Sequence, residues 1–243
     1  MKYQQILAGV AAVLASSGAM ASNFNGNVGV VSDYMFRGID QSSVGAAVQG
    51  GVDYGFDIGA YTGFWVTNSS IGGGNETDLY GGYGMKLGEF DLDAGLIYYA
   101  YTEDTENGLI PGHNIDYAEL YVGGAIGPAT LKVFYTNKFG KDVGLVSGNT
   151  KKDSALYATA SVTLTLNDTI SFTPQVGFSS GDGVKDAFGD NYVDYSITAT
   201  KKLKDDLSVS LAVVGTNLKD FNGVPGNKDN PKFVIGLKKT FAI

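Results

Sequence analysis

Residues 206–216 read "DLSVSLAVVGT" and alternate apolar side chains with small or polar ones. Leu207, Val209 and Leu211 fall on one side of an extended chain, and Ser210 falls on the other. Alternation with a period of two is the pattern of a β-strand whose faces meet different surroundings. The stretch therefore predicts an amphipathic strand with one apolar face.

The same alternation recurs along the chain, for example in residues 153–166 and 169–179. Short connections, as at Gly88 and Gly127, alternate with longer polar ones. This is the layout of an outer-membrane β-barrel with both termini on the periplasmic side. The pattern predicts twelve strands, near residues 26–37, 44–55, 57–67, 76–87, 89–102, 114–126, 128–139, 153–166, 169–179, 191–203, 206–216 and 231–243.

Composition distinguishes this barrel from a soluble β-sandwich or lipocalin-like barrel, which uses the same alternation with its oily face inward. Here the oily face is almost free of charge, as lipid contact requires, and the other face is mostly Gly, Ser, Thr and Tyr. The 35 Gly, 15 Tyr and 13 Phe residues also disfavour helices. We therefore predict an all-β, transmembrane antiparallel barrel that occupies residues 22–243 as a single domain.

The two ends of the chain predict export and membrane assembly. Lys2, an apolar run over residues 6–15 and the sequence Ala19-Met20-Ala21 have the form of a secretory signal peptide covering residues 1–21. The last stretch, "PKFVIGLKKTFAI", alternates apolar and other side chains, as does the terminal strand that the barrel-assembly machinery recognises in outer-membrane proteins. The expected location is the outer membrane, with its lipid and lipopolysaccharide as partners.

Charge and composition argue against several other functions. The net charge of −8 disfavours a nucleic-acid partner. The chain has no cysteine and one histidine, His113, which follows Pro-Gly in a predicted loop. That leaves neither a Ser-His pair for acyl transfer nor a transition-metal site, so we expect no enzyme activity and no cofactor. The segment "GDGVKDAFGD" lacks the spacing of a calcium-binding EF-hand loop and is interpreted as a solvated loop.

A resemblance lies in residues 25–42, "NGNVGVVSDYMFRGIDQS". The run Tyr34-Met35-Phe36-Arg37-Gly38, followed by Gln41-Ser42, resembles the opening of proteins in the proteobacterial TorF family, which are described as porins. The resemblance implies an outer-membrane barrel that acts as a channel. It implies no particular substrate.

Arg37 is the only arginine of the chain. The alternation of the predicted first strand places Asp33 and Arg37 towards the lumen, and Tyr34 and Phe36 towards lipid. Gly38 then starts a loop. Arg37 is expected to pair with a carboxylate on a neighbouring strand, and Asp53 on the second strand is one candidate. Both a structural ion pair and a charge that selects ions are compatible with this placement.

The same alternation assigns other charged side chains to the lumen. Seven acids and five bases give no preference for cations or anions. We predict a narrow channel for passive diffusion of ions or small solutes, the alternative being a structural or adaptor barrel without an open pore. The predicted lumen charges are Asp33, Arg37, Asp53, Asp57, Lys86, Asp91, Asp93, Glu119, Lys132, Asp194, Lys202 and Lys238.

Overall fold

The computed structural model describes residues 24–42, 45–69, 74–102, 116–139, 154–219 and 231–243. The predicted signal peptide, His113 and most of the longest predicted loops lie outside these residues. The elements in chain order are β1 (Phe24–Val31), β2 (Met35–Phe36), β3 (Ile39–Asp40), β4 (Ala47–Gly55), β5 (Ala60–Ser69), β6 (Gly74–Leu87), β7 (Phe90–Tyr101), β8 (Tyr117–Ile126), β9 (Ala129–Thr136), β10 (Ala155–Val162), β11 (Leu164–Asn167), β12 (Ile170–Ser180), α1 (Asp182–Phe188), β13 (Tyr192–Lys202), β14 (Leu207–Thr216) and β15 (Lys232–Ala242).

Twelve antiparallel strands close into a barrel. Its wall consists of β1, β4 to β9, the β10–β11 strand, and β12 to β15. β10 and β11 both pair with β12, so they are two parts of one wall strand interrupted at Thr163. β1 pairs with β15 and β10 pairs with both β9 and β12, which completes the ring. Among the described residues, every wall strand is therefore paired on both sides, as a membrane-spanning sheet requires.

The two faces of the wall differ as the alternation predicts. On β14, the Leu211 side chain points outward and is 51% exposed, whereas its neighbour Ala212 is buried inside. On β13, Ile197 is exposed outside and Ser196 and Thr198 are buried inside. An apolar outer surface and a polar interior are the arrangement of a transmembrane barrel, so the predicted fold class is confirmed.

The connections differ in length at the two ends of the barrel. We call the end with the tight turns, such as those at Gly88 and Gly127, the short-connection end, and the opposite end the long-connection end. Gly88 and Gly127 have φ of 63° and 55°, a left-handed conformation that lets the chain reverse tightly. The alternation of short and long connections agrees with the sequence prediction.

Two segments at the long-connection end differ from the prediction. The first wall strand ends at Val31 instead of reaching Arg37, and residues 32–42 fold into the barrel. The segment interpreted as a solvated loop contains α1, whose Val184 and Ala187 are buried. The described residues contain no helix that is long and apolar enough to span a membrane.

Candidate functional site

Residues 32–42, which we call the inner hairpin, enter the barrel interior from the end of β1. Its two short strands, β2 and β3, pair through Met35 with Asp40 and Phe36 with Ile39. The backbone amide of Gln41 donates to the carbonyl oxygen of Tyr34 at 2.7 Å. These hydrogen bonds satisfy backbone groups that no longer pair with the wall.

The turn of the inner hairpin rests against the wall. Arg37 has φ of 48° and Gly38 has φ of 80°, both left-handed. A Cβ atom at Gly38 would lie 2.7 Å from the Cβ of Asp194 on β13 and would also overlap Thr216 on β14. Glycine is therefore required there both by the backbone conformation and by the close approach to the wall.

The Arg37 side chain crosses to the other side of the interior. Its Nη2 donates to Glu119 Oε2 on β8 at 2.5 Å, and the two side chains are 7% and 1% exposed. The guanidinium lies 5.4 Å from the ring centroid of Phe134 and 4.4 Å from that of Tyr157. A paired, buried cation with aromatic contacts is held in one position.

Asp53, the candidate partner named from the sequence, does not pair with Arg37. Asp53 instead accepts a short hydrogen bond from Tyr80, while Glu119, another of the predicted lumen charges, forms the ion pair. The reason is that Arg37 lies not on the wall but at the tip of the inner hairpin. From there the long side chain reaches β8 rather than the adjacent β4.

Tyr34 and Phe36 were also predicted wrongly, because both point into the barrel instead of towards lipid. Tyr34 is 3% exposed, and its hydroxyl donates to Glu76 Oε1 on β6 at 2.5 Å. The Phe36 ring packs edge-on to that of Tyr99, with 5.9 Å between centroids. Once the chain leaves the wall, the alternation of side chains no longer distinguishes lipid from lumen.

Apolar contacts hold the rest of the inner hairpin. Ile39 packs in a buried cluster with Val184 of α1 and with Tyr192 and Leu218. Met35 packs in another cluster with side chains of β14 and β15. The inner hairpin thus touches strands all round the wall, and α1 covers it at the long-connection end.

A second ion pair lies nearer the short-connection end. Lys132 Nζ is 2.8 Å from Asp93 Oδ2, and both side chains are largely buried. Tyr61 donates to the other carboxylate oxygen at 2.6 Å. The Lys132 side chain lies against Gly123, where a Cβ atom would be 2.5 Å from Lys132 Cγ.

Four of the predicted charges, Asp33, Asp57, Lys86 and Asp91, lie closer to the ends. Asp33 and Asp40 are 3.8 and 3.2 Å from Lys232 Nζ at the long-connection end. Lys86 and Asp91 form a 2.8 Å pair at the other end, and Lys86 is 66% exposed. Asp57 lies in an exposed short connection and so outside the wall strands. The role of these side chains in lining a pore stays a prediction.

The sequence of the chain matches a described family. A model of a bacterial family of proteins of unknown function, Gcw_chp, matches residues 15–241. The chain belongs to this family. Its description carries no porin name, so the TorF resemblance stays a prediction. No curated protein matches the chain.

Solved structures that are similar to this chain include two porins and an outer membrane channel. A NanC porin superposes with a TM-score of 0.56 at 12% identity over 90% of this chain and 99% of its own. A KdgM porin superposes with a TM-score of 0.56 at 10% identity, over 90% of this chain and 98% of its own. The COG4313 outer membrane channel from Pseudomonas putida F1 superposes with a TM-score of 0.57 at 14% identity, over 95% of this chain and 99% of its own. At such low sequence identities, the structural similarity establishes the fold alone.

Two charged residues of this Gcw_chp protein were missed by the sequence analysis. Glu76 and Asp78 point into the interior from β6 and are almost fully buried. They have the same alternation as Lys86 on that strand, so the pattern that placed Lys86 inside could have found them. Within the described residues, no group of three or more Asp, Glu or His side chains has the geometry to hold a metal ion.

Proposed function

We propose that this protein is an outer-membrane porin, a narrow channel for passive diffusion of ions or small solutes with mixed charges along its lumen. The observation that carries the proposal is the closed twelve-stranded wall, apolar outside and rich in Ser, Thr, Tyr and charged side chains inside. A barrel of this kind is stable in a bilayer and offers polar groups to a hydrated solute.

The same wall supports an outer-membrane location. An outer surface of exposed Leu, Val, Ile and Phe side chains suits contact with outer-membrane lipid and lipopolysaccharide. We place both termini, and with them the short-connection end, on the periplasmic side. The antiparallel pairing of β15 with β1 supports a role for the last strand in recognition by the barrel-assembly machinery, since that strand closes the barrel.

The inner hairpin supports a narrow path. Twelve strands enclose less space than the sixteen or more of wide porins. Part of that space holds the inner hairpin, whose Arg37 and Tyr34 bind β8 and β6, the two neighbours of β7. A solute that crosses the barrel would pass beside the inner hairpin.

The alternative is a structural or adaptor barrel without an open pore, and one observation favours it. Tyr34, Met35, Arg37 and Ile39 of the inner hairpin are all buried. A hairpin packed this closely could close the barrel instead of narrowing it.

Single-channel recording in planar bilayers tests the proposal. The wild-type protein is compared with a variant in which residues 32–46 are replaced by a short Gly-Ser turn. Val31 and Ala47 are cross-strand partners, so such a turn can join β1 to β4 without disturbing the wall. The expected result is discrete conductance steps for the wild type and steps several-fold larger for the variant.

The unfolded protein from the same preparation is the control. Absence of steps in both folded proteins would contradict the porin proposal. Steps in the variant alone would favour the barrel without an open pore.

A further inference from the structure

The middle of the barrel interior is acidic. Between the charges at the two ends, the described residues place six carboxylates and four basic groups on the inner side. Without Glu76 and Asp78, the lumen charges predicted from the sequence were nearly balanced. The inward groups are Asp53, Glu76, Asp78, Asp93, Glu119, Asp194, Arg37, Lys132, Lys202 and Lys238.

The basic groups leave one part of this interior uncompensated. Arg37 pairs with Glu119, and Lys132 pairs with Asp93. No basic side chain of the described residues forms an ion pair with Glu76 or Asp78. Negative charge therefore concentrates on β6, near the inner hairpin.

Three buried carboxylate oxygens of the interior have no hydrogen-bond partner among the described residues, and one of them, Asp194 Oδ2, is on β13. The other two are on β6 and β8. They are Asp78 Oδ1 and Glu119 Oε1, on side chains of residues that are 2% and 1% exposed. The Arg37 guanidinium and the Tyr99 hydroxyl both bind the other oxygen of Glu119, Oε2. Because a buried carboxylate oxygen without a partner is costly, both atoms are suited to a cation that enters the site.

The unsatisfied groups face one region of the interior. Asp78 and Glu76 are two residues apart on the same face of β6. Asp78 lies opposite Tyr99 in the register of β6 and β7, and Tyr99 donates to Glu119 at 3.1 Å.

We propose that Glu76, Asp78 and Glu119 form a cation-selecting site beside the inner hairpin, with Asp78 as the residue that determines specificity. The inference rests on the proposed porin function and names its substrate class, small monovalent cations. The described carboxylates lack the geometry to chelate a metal. Weak, transient binding is what conduction requires, since a permeating ion must also leave.

The test is ion selectivity of the full chain in a planar bilayer under a KCl gradient. The wild type is expected to pass K⁺ in preference to Cl⁻. Asp78→Asn, which keeps the side-chain volume, should lower the K⁺ to Cl⁻ permeability ratio several-fold. The matched control is Asp57→Asn, which makes the same change in net charge in an exposed short connection and should leave the ratio unchanged.

The outcomes separate this inference from the porin proposal. A wild type without conductance steps contradicts the porin proposal itself. Conductance steps with no preference for K⁺, or an Asp78→Asn variant with the wild-type ratio, overturn the inference and leave the porin proposal standing. Heat-modified gel mobility verifies that each variant is folded.

A second variant covers the case in which Asp78→Asn does not fold. Glu76→Gln keeps an oxygen that can accept the hydrogen bond from Tyr34. It should also lower the K⁺ to Cl⁻ permeability ratio. An unchanged ratio in the folded Glu76→Gln protein overturns the inference.

Discussion

Arg37 shows how one residue can connect distant parts of the barrel. It is the only arginine of the chain, and it joins the inner hairpin to Glu119, 82 residues further along. Its planar guanidinium pairs with a carboxylate and stacks on aromatic rings at the same time, which a lysine ammonium does less well. Both charges are buried, so each depends on the other for compensation.

The first prediction concerns this ion pair. Arg37→Ala leaves the Glu119 carboxylate buried without its cation and should lower the free energy of unfolding by about 3–5 kcal/mol. The measurement is urea unfolding in detergent, followed by heat-modified gel mobility. Adding Glu119→Gln to Arg37→Ala should recover part of the loss, because the carboxylate that Arg37 compensated is then no longer charged.

Lys86 provides the matched control for that prediction. Its pair with Asp91 has a similar length, 2.8 Å, but is exposed to solvent. Lys86→Ala should change the free energy of unfolding by about 1 kcal/mol or less. Similar losses for Arg37→Ala and Lys86→Ala would contradict the claim that burial makes the Arg37 pair important.

At the scale of elements, a wall strand and the inner hairpin share the same alternation of side chains but lie in different surroundings. β14 alternates because Leu211 lies on the outer face and Ala212 on the inner face. Residues 33–37 alternate too, yet Tyr34 and Arg37, of opposite parity, are both buried in the interior. Inside the barrel, a hairpin has protein on both of its faces.

The second prediction tests the faces of β14. Leu211→Arg should impair membrane assembly, because an arginine on the lipid face at mid-bilayer costs roughly 2–4 kcal/mol. Ser210→Arg is the control, since Ser210 points inward opposite Gly236, which leaves room for a longer side chain. Assembly is measured as the heat-modifiable fraction in outer-membrane preparations, and equal yields of the two variants would contradict the assigned faces.

At the scale of the whole molecule, the barrel is closed by pairing between the two ends of the described chain. β1 and β15 run antiparallel over seven residue pairs, from Asn25 with Ala242 to Val31 with Gly236. Both ends of the described chain therefore lie at the short-connection end. The orientation of the molecule in the membrane follows once one connection is located.

The third prediction locates the connections. The chain has no cysteine, so an introduced thiol can be labelled without background. With both termini periplasmic, Asp186→Cys on α1 should react with a membrane-impermeant maleimide in intact cells. Asp168→Cys, in the short turn between β11 and β12, should react only after lysis. Labelling of Asp168→Cys but not Asp186→Cys in intact cells would reverse the orientation.

The sequence by itself determined the fold class, the number of wall strands and the face on which most side chains lie. In a membrane barrel, each wall residue faces either lipid or the interior. An alternation such as Leu211 with Ser210 therefore indicates which face each side chain occupies. The same rule placed Glu119 and Lys132 inside. It could also have placed Glu76 and Asp78 there.

Only the tertiary structure decided the path of residues 32–42 and the partner of Arg37. Local alternation is the same for a wall strand and for an inner hairpin, because both are extended chains with a period of two. Which of them forms depends on contacts with Glu119, Tyr157 and Val184, all far away in the sequence. The acidic site on β6 faces the inner hairpin for the same reason: closure of the barrel brings these distant residues together.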